Sequence, residues 1–214
     1  MIPGALLPIL SLAEQTMGMP AIQRRWTTAD VRELTRENRP WSRYELIAGE
    51  LLVRPAPDSI HQIAATEIWS LLNAYLEREP VGLAVVSPSD LELKPGTITQ
   101  PDVFVVPAET RIAADVLQWP DVKSLLLAVE VLSPSTLRTD RVNKRDFYLD
   151  NGVEEYWVVD LDARVVERWC PAQETPELTR DRLEWAPRGR APLVIDLPAL
   201  FERIQKRLRG FERR

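Results

Sequence analysis

Four segments of the chain have the apolar spacing of an α-helix. The longest runs from Ser59 to Glu79, where apolar residues recur three or four positions apart and therefore line one helical face. A Pro-Val-Gly sequence follows directly and ends this helix. Shorter helices are predicted at Thr28–Asn38, Leu137–Asp150 and Pro198–Leu208.

Between the helices, short apolar segments bounded by turn residues predict β-strands. Segments 44–47 and 50–53 flank Ala48-Gly49 and predict a β-hairpin with a two-residue turn. Segment 125–132 is apolar at nearly every position, which is typical of a strand covered on both faces. We therefore predict the α/β (α+β) class, with helices packed against the sheet. The other predicted strands are Leu83–Val86, Asp90–Leu93, Asp102–Val106, Glu155–Asp160, Arg164–Trp169 and Leu183–Trp185.

The composition is that of one folded domain. The chain has 214 residues, of which 45% are apolar and 28% charged, enough for one hydrophobic core. We assign residues 25–214 to a single domain and residues 1–24 to a loose or misassigned N-terminal extension, with Met17 or Met19 as the alternative start. Because this extension lacks a basic beginning and contains prolines, neither a signal peptide nor a membrane span is expected.

Charge and cysteine content narrow the class of protein further. The formal net charge is -5, so any contact with nucleic acid must be local. Cys170 is the single cysteine and cannot form an intramolecular disulfide, which favours a cytoplasmic protein. The sequence has no Gly-rich phosphate loop, which excludes nucleotide hydrolysis of the P-loop kind.

Two carboxylates in apolar strands carry the strongest chemical signal. Glu130 lies in the middle of the most apolar strand, where an ionised group needs a cation or hydrogen-bond donors to replace its water. Asp102 opens a second apolar strand, directly after Pro101. If the two strands are neighbours, these carboxylates converge and form a hard oxygen site suited to Mg²⁺ or Mn²⁺.

A cationic residue follows on the next predicted helix. Asp140, Lys144 and Tyr148 are four residues apart and therefore share one stripe of that helix. Lys144 can then reach back towards Glu130. The spacing leaves two interpretations open, a catalytic lysine or a structural ion pair that neutralises Glu130.

In the order and spacing of these polar residues, the chain resembles the Uma-type endonucleases. These are a branch of the PD-(D/E)XK restriction-endonuclease-like superfamily. The resemblance covers roughly residues 28–160. One departure from the superfamily is Leu132, which stands two residues after Glu130 where a lysine is usual; in the Uma-type branch a lysine of the following helix takes over, here Lys144. The matching residues are Tyr44–Leu51, His61, Pro101-Asp102, Glu130–Thr136, Asp140, Lys144, Tyr148 and Gly152–Trp157.

The resemblance implies a restriction-endonuclease-like core, in which a central mixed sheet flanked by helices carries the metal-binding carboxylates. It also implies the hydrolysis of phosphodiester bonds in DNA. Asp102, Glu130 and the main-chain carbonyl of Val131 would hold Mg²⁺, with Mn²⁺ as an alternative. Lys144 would orient the attacking water or stabilise the charge of the transition state. Glu45 would be the fourth catalytic residue; its alternative is an exposed hairpin carboxylate. A homodimer is also expected from the resemblance.

Other polar residues have weaker signals. His61, Asp140 and Tyr148 are candidates for accessory roles at the site. Three hydroxyl residues, Ser133, Ser135 and Thr136, are predicted to cap the following helix, because no nucleophile elbow or histidine partner accompanies them. The basic residues near the site could contact phosphates; they are Arg138, Arg141, Lys144 and Arg145.

Two functions from different classes remain open at this point. The first is a metal-dependent endodeoxyribonuclease, favoured because Glu45, Asp102, Glu130 and Lys144 are all present. The alternative is a non-catalytic protein of the nuclease fold, in which these residues form a structural network and the surface binds nucleic acid or protein. The net negative charge keeps this alternative open.

Overall fold

A computed structural model describes residues 25–36, 43–54, 56–110, 119–133 and 139–212. Within them the chain forms four α-helices and ten β-strands. The helices are α1 (Thr28–Arg36), α2 (Ser59–Leu76), α3 (Arg145–Asp150) and α4 (Leu197–Glu212). The strands are β1 (Arg43–Ile47), β2 (Glu50–Arg54), β3 (Gly82–Val86), β4 (Val103–Pro107), β5 (Leu127–Val131), β6 (Tyr156–Asp160), β7 (Val165–Trp169), β8 (Glu177–Thr179), β9 (Arg182–Trp185) and β10 (Leu193–Asp196).

The centre of the fold is a six-stranded mixed sheet. Its strand order is β3-β4-β5-β6-β7-β8, and its neighbours are antiparallel except for the parallel pair β5 and β6. A parallel pair needs a crossover connection, since a tight hairpin cannot join strands that run in the same direction. The crossover here contains α3, so this helix lies against the sheet beside the end of β5.

Side chains of the two central strands alternate between two apolar clusters, one on each face of the sheet. Val103 and Val129 belong to the cluster that α2 and α4 complete. Phe104 and Ala128 belong to the other cluster, which includes residues of α3 and of the hairpin β1–β2. Every residue of β5 is buried. The predicted mixed sheet with helices on both faces is therefore confirmed.

Most of the predicted elements are present, and the differences are local. The hairpin turn is confirmed at Ala48 and Gly49, whose φ angles of 54° and 82° are those of a tight turn of this kind. The strand predicted at Asp90–Leu93 is wrong, because Leu91 forms only an isolated bridge with Thr99. The short strands β8 and β10 were not predicted, and the predicted N-terminal extension lies outside the described residues.

The helix predicted at 137–150 begins differently from the expectation. Residues 134–138 lie outside the described residues, and residues Thr139–Lys144 form a wider π-helical turn before α3 starts. Such turns often occur at functional sites. Within the part of the chain that the structure describes, no helix has both the length and the apolar character needed to cross a bilayer.

Candidate active site

The register of the sheet brings Asp102 and Glu130 together. In the antiparallel pair β4–β5, Val103 lies opposite Val129, so the same register extended by one residue sets Asp102 opposite Glu130. Both lie on the face of the sheet that α3 and the hairpin cover, because side chains alternate along each strand. Their exposed fractions are 2% and 0%, so both carboxyl groups are withdrawn from water.

Asp102 is held from three directions. Arg43 Nη1 lies 3.1 Å from its Oδ1, and His61 Nε2 lies 3.0 Å from its Oδ2. The main-chain N–H of Val131 donates to the same Oδ2 at 2.9 Å. Burial acts to raise the pKa of Asp102, but His61, Lys144 and the N–H of Val131 outweigh it and bring the pKa below its ordinary value. Asp102 is therefore an ionised, oriented carboxylate.

Lys144 provides a buried positive charge beside Glu130. Its Nζ lies 2.6 Å from Glu130 Oε1 and 2.8 Å from Glu45 Oε2, and its side chain is fully buried. Burial acts to lower the pKa of Lys144, but the neighbouring carboxylates outweigh it and raise the pKa above its ordinary value. Lys144 therefore stays charged, as a cation fixed between two strands.

Glu45 of β1 lies at the centre of this group rather than on the surface. Its side chain is fully buried, and its Oε1 accepts the main-chain N–H of Gln100 at 2.7 Å and the hydroxyl of Thr99 at 3.2 Å. Burial acts to raise its pKa, but the charges and hydrogen bonds around it lower the pKa below its ordinary value. The alternative of an exposed hairpin carboxylate is wrong.

Glu130 differs from Glu45 in its electrostatic balance. Burial raises the pKa of Glu130 well above its ordinary value, and the carboxylates of Asp102 and Asp140 add to the rise, against Lys144 and Arg54. The Tyr148 hydroxyl donates to Glu130 Oε1 at 3.0 Å. Glu130 Oε2 is buried, and no group of the described residues donates a hydrogen bond to it. Glu130 is thus the carboxylate that gains most from another cation.

The π-helical turn brings Asp140 and Lys144 inward on the same side as Tyr148 of α3. All three side chains are fully buried, and Lys144 Nζ lies 3.9 Å from Asp140 Oδ1. The Tyr156 hydroxyl donates to the main-chain carbonyl of Asp140 at 2.9 Å, which fixes the turn to β6. Asp140 Oδ2 is a second buried oxygen that accepts no hydrogen bond within the part of the chain that the structure describes.

Arg54, the last residue of β2, also belongs to the site, although it was not among the predicted site residues. Its Nε lies 2.7 Å from Glu45 Oε2, its Nη1 lies 3.6 Å from Glu130 Oε2, and its Nη2 donates to Asp140 Oδ1. Burial opposes the charged form, but these carboxylates raise the pKa of Arg54 above its ordinary value. The signal was available, since the hairpin register sets Arg54 opposite Arg43, on the same strand face as Glu45.

Two of the basic residues expected near the site have other partners. Arg141 contacts Asp160 at 2.9 Å and Glu167 at 2.5 Å, and so joins the π-helical turn to β6 and β7. The guanidinium of Arg145 lies 4.7 Å from the ring centroid of Trp169. Arg138 lies outside the described residues, as do Ser135 and Thr136 with their predicted capping role.

The donors of the site fit a hard divalent cation in their chemistry. They are carboxylate oxygens. Two of them, Glu130 Oε2 and Asp140 Oδ2, are buried and accept no hydrogen bond from a described residue, an arrangement that a cation would relieve. Among the described residues, no three His, Cys, Asp or Glu side chains are arranged to hold a metal as they stand. Mg²⁺ usually takes only one or two protein carboxylates and keeps several waters.

Comparisons with known proteins agree with this fold. No protein of curated function matches the chain. The crystal structure of a putative nuclease belonging to DUF820 from Anabaena variabilis is similar with a TM-score of 0.67 and 22% identity, over 84% of this chain and 99% of that one. At this identity the likeness establishes a shared fold. The model of the Uma2 family, described as a putative restriction endonuclease, matches residues 28–195, and the chain therefore belongs to the Uma2 family.

Proposed function

We propose that the protein is a Mg²⁺-dependent endonuclease that hydrolyses phosphodiester bonds in DNA. The observation that carries this proposal is the buried ammonium of Lys144, which lies 2.6 Å from Glu130. Glu130 lies on β5, and Asp102 directly precedes the neighbouring strand β4. Two carboxylates on neighbouring strands with an adjoining cation form the arrangement that phosphodiester hydrolysis needs. Membership of the Uma2 family supports the same class of activity.

Asp102 and Glu130 would hold the metal, together with the main-chain carbonyl of Val131. A divalent ion bound there lowers the pKa of a bound water and offsets negative charge on the phosphate oxygens. Arg43 and His61 keep Asp102 oriented by contacts at 3.1 and 3.0 Å. Rigid positioning of this kind reduces the reorganisation that the reaction requires.

Lys144 acts through its charge rather than as a general base. Its raised pKa keeps the ammonium protonated, so it has no free electron pair with which to accept a proton. A fixed ammonium next to Glu130 stabilises the negative charge that builds up on the transferring phosphate and orients the attacking water. Glu45 holds Lys144 from the opposite side at 2.8 Å, and Tyr148 holds Glu130 by its hydroxyl.

One feature of the site favours the non-catalytic alternative. Each of the four buried carboxylates, Glu45, Asp102, Glu130 and Asp140, contacts a cationic side chain of the chain itself. Such a closed network can be purely structural. A protein of this kind would keep the nuclease fold and use its surface for binding nucleic acid or protein.

Metal titration and cleavage assays separate the two functions. Mn²⁺ binding is measured by calorimetry for the native protein and for Glu130→Gln, which removes the charge but keeps the shape. Cleavage of plasmid, single-stranded DNA and RNA is followed with Mg²⁺ or Mn²⁺. The matched control is Glu202→Gln, an exposed position of α4.

We expect metal binding and DNA cleavage in the native protein and in Glu202→Gln, and the loss of both in Glu130→Gln. Preferential cleavage of RNA would replace DNA as the substrate and leave the metal chemistry in place. Absence of metal binding and of cleavage in the native protein would leave the non-catalytic alternative.

A further inference from the structure

The guanidinium of Arg54 bridges carboxylates from three separate elements. It contacts Glu45 of β1 at 2.7 Å, Glu130 of β5 at 3.6 Å and Asp140 of the π-helical turn. Only 9% of the Arg54 side chain is exposed, and the three carboxylates are fully buried. A positive charge with several carboxylate neighbours and almost no water is the environment of a bridging metal ion in a site of oxygen ligands.

The guanidinium supplies the positive charge at this position, but it does not hydrogen-bond all of the carboxylate oxygens around it. Its N–H donors lie in one plane with fixed directions, and Nη1 remains 3.6 Å from Glu130 Oε2, beyond hydrogen-bond distance. Among the described residues, no donor hydrogen-bonds to the buried Glu130 Oε2 or Asp140 Oδ2. A spherical cation has no directional donors, so its contacts with carboxylate oxygens are not confined to one plane.

We propose that Arg54 takes the place of a second divalent cation, between Glu45, Glu130 and Asp140. This inference rests on the proposed function, in which one metal ion lies at Asp102 and Glu130. Arg54 then supplies the second positive charge of a centre that other nucleases build from two metal ions. Glu45 consequently serves as a partner of Arg54 and Lys144 instead of a metal ligand.

The formal charges support a single additional ion when Arg54 is absent. The three carboxylates around Arg54 carry three negative charges, and Arg54 and Lys144 together carry two positive charges. With all three carboxylates ionised, and leaving aside the ion proposed at Asp102 and Glu130, the group without Arg54 has a formal charge of minus two. One divalent cation would neutralise that charge in a space from which water is already excluded.

The test compares Mn²⁺ stoichiometry in the intact chain and in the Arg54→Met variant. Bound Mn²⁺ is counted by calorimetry and by electron paramagnetic resonance, for which no cleavage activity is needed. Arg54→Lys is the first control because it keeps the positive charge. Arg207→Met is the second control, since Arg207 lies 2.5 Å from the buried carboxylate of Glu67 on the other side of the fold.

We expect Arg54→Met to bind one Mn²⁺ more per chain than the native protein, and both controls to gain none. An unchanged count in Arg54→Met, or a gain of equal size in Arg207→Met, would overturn the inference. Should Arg54→Met unfold without metal, refolding by Mn²⁺ supports the inference and failure of Mn²⁺ to refold it overturns the inference. The count for the native protein separately tests the proposed function, because that function requires at least one bound ion before any substitution.

Discussion

The Nζ atom of Lys144 lies 2.6 Å from Oε1 of Glu130, although the two residues belong to different elements and both are fully buried. Lys144 reaches this position from the end of a π-helical turn that follows β5. The lysine therefore approaches the strand carboxylate from the helix side and not from the strand itself. This relationship determines what substitutions at the site should do.

Replacing Lys144 by Met should strongly lower both DNA cleavage and the free energy of unfolding. Cleavage should fall by about 100- to 1,000-fold, as for the loss of one fixed charge aimed at a transition state. The free energy of unfolding should fall by about 3–5 kcal/mol, because Glu45 and Glu130 lose their buried partner. Urea denaturation and DNA cleavage measure the two effects.

Lys144→Arg should not restore full activity, since a planar guanidinium does not fit a fully buried ammonium site. The exposed Lys206→Met is the control and should leave both quantities unchanged. Native cleavage rates in a folded Lys144→Met variant would contradict the role of this charge.

Asp102 should make the stability of the protein fall in acid. Burial acts to raise the pKa of Asp102, but His61, Lys144 and the Val131 N–H lower it by more than burial raises it. The pKa of Asp102 in the folded protein therefore lies below the ordinary value of 3.8. The unfolded chain therefore takes up a proton first as the pH falls. The stabilisation is present above pH 3.8 and is lost as the pH falls from there through the folded pKa.

The free energy of unfolding should be measured in urea between pH 7 and pH 2 for the native protein and Asp102→Asn. We expect the native protein to lose stability more steeply below about pH 4, and the difference between the two proteins to shrink. Parallel curves for the two proteins would show that Asp102 has the same pKa in the folded and unfolded states.

Tyr148→Phe should lower both the stability of the protein and its cleavage activity. The substitution removes the hydroxyl that donates to Glu130 at 3.0 Å and lies 2.7 Å from Thr99 Oγ1. We expect a loss of about 1–3 kcal/mol in the free energy of unfolding, the usual range when a buried polar group loses its partner. Cleavage should also fall, because Glu130 loses a group that orients it.

The matched control is Tyr75→Phe, which removes a hydroxyl that donates to the carbonyl of Ala191 at 2.8 Å on the other face of the sheet. It should cost comparable stability and leave cleavage unchanged. Equal losses of cleavage in both variants would point to general destabilisation in place of a specific effect at Glu130.

Much of the site could be predicted from the sequence because its signals are local. Glu130 lies inside one apolar strand and Asp102 at the start of another, and both positions indicated a nearby cation. Since side chains alternate along each strand, the register of the two strands places both carboxylates on one face. The four-residue spacing of Asp140, Lys144 and Tyr148 indicated one inward stripe. Their catalytic and metal-binding roles, the homodimer and the cytoplasmic location remain predictions.

Arg54 and the π-helical turn were harder to predict for physical reasons. An arginine at the end of a hairpin strand is usually exposed, and only the pairing of β2 with β1 sets Arg54 opposite Arg43. The spacing of Asp140 and Lys144 suits an α-helix as well as the wider turn, so periodicity alone does not distinguish them. Leu91 was assigned to a strand because apolar alternation cannot reveal whether a partner strand exists.

The hairpin β1–β2 forms a two-stranded sheet of its own. An antiparallel bridge connects Leu46 of this hairpin to Ile98, through main-chain hydrogen bonds of 2.7 and 2.9 Å. Glu45 and Arg54 both belong to it. The candidate site is therefore assembled from two separate sheets, since Glu130 belongs to the six-stranded sheet. A shortened chain that began after residue 54 would keep every strand of the six-stranded sheet but would lack Glu45 and Arg54.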